Sequence, residues 1–199
     1  MKFDPDKHHR RSIRVPGYDY SQPGAYFITI VTYQQECLFG KVIDGEMRLN
    51  DIGKIVQWEW ERLGHRFPFL ELGAHIVMPN HTHGILNFID SVRATRADQT
   101  GLYLNNAPPQ TGTSDDNNGS PLPRGPKPSS LGTIIGQFKS RVTKRLWKNP
   151  DLTGTPVWQR NYYEHIIRNE PEWNNIHLYI ESNPLNWATD DEHPSHHAR

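Results

Sequence analysis

His75-Ile-Val-Met-Pro-Asn-His-Thr-His-Gly-Ile-Leu86 places two histidines, His81 and His83, one residue apart inside an apolar run. Alternate side chains of a strand share a face, so both imidazoles point the same way. Neutral imidazoles standing together on a strand can hold one metal ion between them. A metal-assisted phosphodiester enzyme follows if a nucleophile faces the pair. With eleven histidines in 199 residues, a His-x-His pattern also arises by chance, and Pro79-Asn80 alone accounts for a turn. His8-His9 and His196-His197 lie at polar termini, where fraying is the simpler reading.

Working outward, Leu70 to Met78 and His81 to Ile89 form two strands that meet at Pro79-Asn80, as a tight hairpin or as one bulged strand. Either keeps His81 and His83 on one face. Upstream, Ala25-Tyr-Phe-Ile-Thr-Ile-Val-Thr-Tyr33 is rich in β-branched and aromatic residues and predicts a largely buried first strand. Leu38 to Leu49, interrupted by Asp44-Gly45, continues that strand or makes a small hairpin. Asp51 can cap a helix through about Leu63, with Ile52, Ile55, Val56, Trp60 and Leu63 at helical spacing and Gly64 closing it.

From about 90 to 130 the composition turns to Thr, Asn, Asp, Gly, Ser and Pro, too poor in large apolar residues to offset its ordering entropy, which predicts a mobile insertion. Ser129 or Ser130 then caps a basic helix whose apolar positions Leu131, Ile134, Ile135, Phe138, Val142 and Leu146 mark its buried stripe. Val157 to Ile167 is strand-like in part. Asn169 caps a last helix from Glu170 to about Asn183, with Trp173, Ile176, His177 and Ile180 as its core stripe. The order strand, helix, strand, strand, helix, strand, helix predicts an α+β fold: a ferredoxin-like or RNA-recognition-like antiparallel sheet with helices packed on one face. Residues 1–20 make a basic arm, 21–189 the folded domain and 190–199 a polar tail.

The chain has no apolar stretch of the ~18 to 20 residues that a membrane span needs, and its start lacks a secretory segment, so cytoplasmic residence is the default expectation. A single cysteine, Cys37, excludes an intrachain disulfide and a cysteine-based zinc cage, and its setting suggests a packing role. Lys plus Arg and Asp plus Glu number 22 each, so overall basicity does not signal nucleic acid. Local charge differs. The helix from Thr133 to Lys148 carries Lys139, Arg141, Lys144, Arg145 and Lys148 with no acid, and the arm adds Lys2, Lys7, Arg10, Arg11 and Arg14. Such clusters can neutralise phosphates, or simply form a solvated helix face.

Two histidines are too few for a working metal site, so a further ligand and a reacting group must come from elsewhere. Tyr179 and Asn183 stand one turn apart on the last helix. A phenol with a pKa of about 10 becomes a nucleophile only when a cation or base favours phenolate. Tyr162 and Tyr163 compete for that role.

His81-Thr82-His83 after Met78-Pro79-Asn80, then Trp158-Gln159, then Tyr163-Glu164-His165-Ile-Ile-Arg168-Asn169, and finally Tyr179-Ile180-Glu181-Ser182-Asn183-Pro184 resemble the REP-associated tyrosine transposases. These belong to the insertion-sequence-200-like branch of the HUH single-strand endonucleases. The resemblance spans Tyr26 to Trp187, apart from the polar insertion. It implies a helix-borne nucleophile, Tyr179, that attacks a scissile phosphate, and a divalent metal, Mg²⁺ or Mn²⁺, held by His81, His83 and Asn183. It implies cleavage and rejoining of single-stranded or hairpin DNA through a 5′-phosphotyrosine, with nucleoid association and either a monomer or a homodimer. His165 becomes a possible support of the site, and Lys139, Arg141, Lys144, Arg145, Arg10 and Arg11 become DNA contacts. Many relatives carry a bulky apolar residue between the histidines where this chain has Thr82. A non-catalytic nucleic-acid-binding module that keeps the sheet and basic helix is the alternative. A small metal hydrolase barrel would need a longer chain.

Overall fold

Tyr26, Ile28 and Ile30 of the first strand bury against one helical layer while Phe27, between them, buries against another. A strand covered on both sides reads as a continuous apolar run, which is why this segment shows so little alternation. In the computed structural model, residues 17–89 and 129–196 are described. The elements run β1 (Gly24–Val31), β2 (Gly40–Ile43), β3 (Glu46–Leu49), α1 (Asp51–Glu61), α2 (Leu63–Arg66), β4 (Leu70–Val77), β5 (His81–Phe88), α3 (Leu131–Leu146), β6 (Tyr163–Ile167) and α4 (Glu170–Ser182).

Four strands form one antiparallel sheet in the order β4-β5-β1-β6, and β2-β3 form a separate two-stranded ribbon. This is the expected α+β architecture, with β5 central and its histidines inside the molecule. Met78 to Asn80 make the β4-β5 turn, closed by Met78 N–H donating to His81 O at 2.8 Å. Leu38 to Leu49 resolves as a hairpin, with Asp44 and Gly45 both at positive φ (52° and 74°) in its two-residue turn.

All six apolar positions expected on α3 are buried: Leu131, Ile134, Ile135, Phe138, Val142 and Leu146. They pack with Val56 and Trp60 of α1 on the face of β1 that carries Tyr26, Ile28 and Ile30. The helices do not all lie on that face. Ile180 of α4, with Trp173 and Ile176, packs on Phe27, Ile85 and Ile167 on the opposite side. The apolar residues on alternate positions of β1 and β5 require this second layer. His177, placed in the core stripe from spacing, is instead at the surface, with Nε2 3.1 Å from Glu181 Oε1.

Other local readings change as well. Asn50, not Asp51, caps α1: its Oδ1 accepts from Gly53 N–H at 2.9 Å, leaving Asp51 in the first turn beside Lys54. Gly64 does not close that helix, because Arg62 keeps helical dihedrals and the chain runs into α2, burying Leu63. Cys37 is exposed in the loop after β1, so the packing role expected of it is not found. Only Tyr163–Ile167 of the segment from Val157 is strand; Trp158 adds an isolated bridge to Thr32.

Gly84, on the back of β5, has a direct packing reason. A Cβ there would lie 2.2 Å from Cζ2 of Trp60, whose indole stacks on His75 at 4.4 Å between centroids. His75 Nε2 is 2.8 Å from Thr82 Oγ1, which donates to Ile76 O at 2.9 Å. Thr82 is therefore satisfied by hydrogen bonds where an apolar residue would rely on packing. Among the described residues no helix is long and apolar enough to cross a membrane. Arg10, Arg11 and nearly all of the polar insertion lie outside the described residues.

Candidate metal and tyrosine site

His81 and His83 project from β5 towards α4 and are almost wholly buried (0% and 2% exposed). Their Nε2 atoms lie 3.0 Å apart. Asn80 donates through Nδ2 to Gln35 O and Glu192 O, at 3.2 and 2.6 Å, which fixes its amide and leaves Oδ1 facing His81 Nδ1 at 2.9 Å. That oxygen can only accept, so His81 carries its proton on Nδ1 and presents a bare Nε2. Thr29 Oγ1 lies 2.9 Å from His83 Nδ1, across the β1-β5 register. When this hydroxyl accepts the Nδ1 proton, both Nε2 lone pairs converge on one point, the arrangement a cation relieves.

Burial pushes His81 down to about 4, against the pull of the Asp190 carboxylate. His83 lies well below the ordinary histidine range, through burial first and then its histidine neighbours. Both imidazoles are thereby neutral, which is the form that binds metal.

Asp190 completes the cluster. One ligand atom each from His81, His83 and Asp190 lies within 4.8 Å of the others, and all three residues are buried. Asn183, 1% exposed at the end of α4, donates from Nδ2 to Asp190 Oδ2 at 2.8 Å, and Glu192 N–H donates to Asp190 Oδ1 at 2.8 Å. Asn183 Oδ1 is buried with no hydrogen-bond partner among the described residues. A buried amide oxygen left over beside two imidazoles and a carboxylate fits a divalent cation, because each group is a donor that burial penalises while it lacks a partner. Asp190 was not legible as a site residue, since it lies in a polar stretch without periodicity. Asn80 and Thr29 escaped notice for a related reason: the register that places them behind the imidazoles is a long-range property.

Tyr179 reaches this cluster within the same chain. Its hydroxyl is 3.3 Å from His83 Nε2 and 3.5 Å from Asp190 Oδ2, while its ring stands edge-on to Phe27. The packing of Trp173, Ile176 and Ile180 turns the helix so that Tyr179 sits at the edge of the buried stripe, 45% exposed. Its phenol is pushed up to about 12, by burial and then by Asp190 and Asp191. Protein groups alone therefore keep it protonated. Tyr163 is exposed beside Phe27, and Tyr162 packs with the core of the other face.

The segment from Tyr163 to Asn169 sets the direction of α4. His165 Nε2 is 2.7 Å from Glu172 Oε1, Arg168 N–H donates to Glu172 Oε2 at 2.7 Å, and Asn169 caps the helix by accepting from Glu172 N–H at 2.9 Å. His165 is thus a brace between β6 and α4, and its contact is with Glu172.

The basic helix α3 lies across the sheet from Tyr179. Lys139 donates to Gln159 O and Asn161 O, at 2.5 and 3.0 Å, and burial lowers its ammonium to about 8. Arg145 pairs with Glu59, which Arg66 also holds at 2.9 Å, and its guanidinium lies 3.9 Å over the Trp58 ring. Both cations tie α3 to its neighbours. Arg141 and Lys144 are exposed.

No protein-family model matches the chain. An uncharacterized protein of Haemophilus influenzae (strain Rd) is 40% identical over 189 residues, covering 95% of this chain and 96% of the relative. A solved structure of a REP-associated tyrosine transposase bound to a REP hairpin superposes with a TM-score of 0.52 at 17% identity, covering 87% of this chain and 73% of the other. The chain belongs to the family of the Haemophilus influenzae protein, and its α+β fold is that of the REP-associated tyrosine transposase.

Proposed function

We propose that this protein is a transposase-like, metal-dependent tyrosine nuclease and strand transferase acting on single-stranded or hairpin DNA. The observation that carries the reading is the 3.3 Å approach of the Tyr179 hydroxyl to His83 in one chain. It joins the two halves of a reaction centre that neither motif makes alone. Further support comes from the solved structure of like fold, which holds a REP hairpin.

In the reaction, Tyr179 Oη attacks the scissile phosphorus, the bond from phosphorus to the 3′-oxygen breaks, and the departing 3′-hydroxyl takes up a proton. The 5′-phosphate stays on tyrosine. A second 3′-hydroxyl then reverses the step, so rejoining needs no external energy source. Asp190 Oδ2, 3.5 Å away, is the nearest carboxylate oxygen that can take the phenolic proton. His81, His83 and Asp190 would hold Mg²⁺ or Mn²⁺, with Asn183 Oδ1 as a further donor. Bound there, the cation supplies positive charge against a phosphate oxygen and offsets the carboxylate charge that holds the phenol protonated. Burial of the histidines excludes water from the side of the phosphate they would face.

Arg141 and Lys144 are the phosphate contacts on α3, with Arg10 and Arg11 of the arm as a second group. Lys139 and Arg145 are structural in this reading. Because Tyr179 meets His83 within one chain, a monomer suffices for cleavage in this reading. Incubating the protein with hairpin DNA carrying a single-stranded flank, in Mg²⁺ or Mn²⁺, tests the proposal. Nicking that a chelator abolishes is the expected result. Tight binding without nicking would make the protein the non-catalytic DNA-binding module instead.

A further inference from the structure

A groove of about 490 Å³ opens between β6 and the first turns of α4, beside Tyr179 but outside the metal cluster. Its walls include Phe27, Tyr163, His165, Glu172, Asn175 and Ile176. Phe27 links it to the reaction centre: its ring meets Tyr163 at 6.3 Å and Tyr179 at 6.0 Å, both edge-on. Asn175 lies one helical turn before Tyr179, on the same side of α4.

We infer that this groove binds one unpaired nucleobase of the DNA strand, next to the scissile phosphate, and that Tyr163 and Asn175 are its recognition residues. The inference rests on the nuclease reading and deepens it. Tyr163 is 43% exposed, far more than the apolar contacts of its strand require, and so offers a ring face on which a base can stack. Asn175 is exposed, and its amide makes no hydrogen bond with the described residues. One donor and one acceptor on a short stem can pair with the edge of a base. Phosphate is excluded by charge. The Glu172 carboxylate lies in the groove, held by His165 and by Arg168 N–H, and among the described residues no lysine or arginine lines the walls. A neutral aromatic group fits where an anion does not. The base must be unpaired, since both faces of a base inside a duplex are already stacked on its neighbours and leave none for Tyr163.

The test uses hairpin DNA with a randomised single-stranded flank and sequences the nucleotides on both sides of the cut in wild type, Tyr163→Ala, Tyr163→Phe and Asn175→Ala. Wild type is expected to show a base preference at one position beside the cut, which Asn175→Ala flattens. Tyr163→Ala should raise KM about tenfold with kcat little changed, the loss of one base-aromatic stack, while Tyr163→Phe keeps wild-type values. Cleavage with no such preference, or with a preference and KM unchanged in Tyr163→Ala and Asn175→Ala, overturns the subsite and leaves the nuclease reading intact. Failure of the wild-type protein to cleave overturns both.

Discussion

The hydroxyl of Tyr179 and Nε2 of His83, 96 positions apart in the chain, lie 3.3 Å from each other on facing elements. The central strand of the sheet supplies the imidazole and the helix behind it supplies the phenol. Phe27 joins them, stacking on His83 and meeting the Tyr179 ring edge-on, while the two rings also meet each other with centroids 5.2 Å apart and Thr29 holds His83 from behind.

The ligand set predicts the metal response. Titration calorimetry should find one Mn²⁺ site in the wild-type protein, weakened at least about tenfold in Asp190→Ala. Asn80→Ala should weaken it by about ten- to a hundredfold, because His81 loses the partner that fixes its tautomer. Unchanged affinity in Asp190→Ala would remove the carboxylate from the ligand set.

Gly84→Ala should destabilise the fold by about 1–3 kcal/mol, since the new methyl meets the Trp60 indole 2.2 Å away and neither central strand nor helix can move freely. Denaturant unfolding followed by tryptophan fluorescence reads both the loss and the displacement of Trp60. A variant as stable as wild type would mean that the indole has another place to go.

Glu59 is 1% exposed and is the shared anion between Arg66 and Arg145, joining α1 and α2 to α3. Glu59→Ala should cost about 3 kcal/mol, mostly from stranding the Arg66 guanidinium, whose side chain is only 16% exposed. Arg145→Ala should cost less, because water reaches that guanidinium. Equal losses in the two variants would contradict this ordering.

The buried histidines set the acid response. His75 is pushed down to about 3 by burial, His81 to about 4, and His83 well below its ordinary value. Above pH ~6.5 neither folded nor unfolded chain protonates these groups, so they add no pH dependence. As pH falls below that value the unfolded chain takes up protons that the folded chain refuses, and stability falls until the folded values are reached. Unfolding measured in chelator between pH 6.5 and 4.5 should show this decline. His75→Gln should reduce the slope by about one proton, roughly 1.4 kcal/mol per pH unit. An unaltered slope would place His75 in water.

Periodicity carried most of the architecture. The six buried positions of α3 and the shared face of His81 and His83 follow from spacing alone, because one helix or strand face is a local property. The second helical layer did not follow, since Trp173, Ile176 and Ile180 mark an apolar stripe without saying which side of the sheet it covers. Charge was a weaker guide. Lys139 and Arg145 look like phosphate contacts in the sequence, yet in the fold Lys139 donates to two carbonyls and Arg145 pairs with a buried carboxylate. Asp190 was invisible because only tertiary folding brings the polar segment after α4 back onto His81 and His83.

Peptide mapping of the protein after reaction with hairpin DNA in Mn²⁺ tests the central claim most directly. The account predicts DNA attached through a 5′-phosphate to the peptide bearing Tyr179, and no adduct with Tyr179→Phe although DNA binding persists. An adduct on Tyr162 or Tyr163, or one undiminished in Tyr179→Phe, would contradict it.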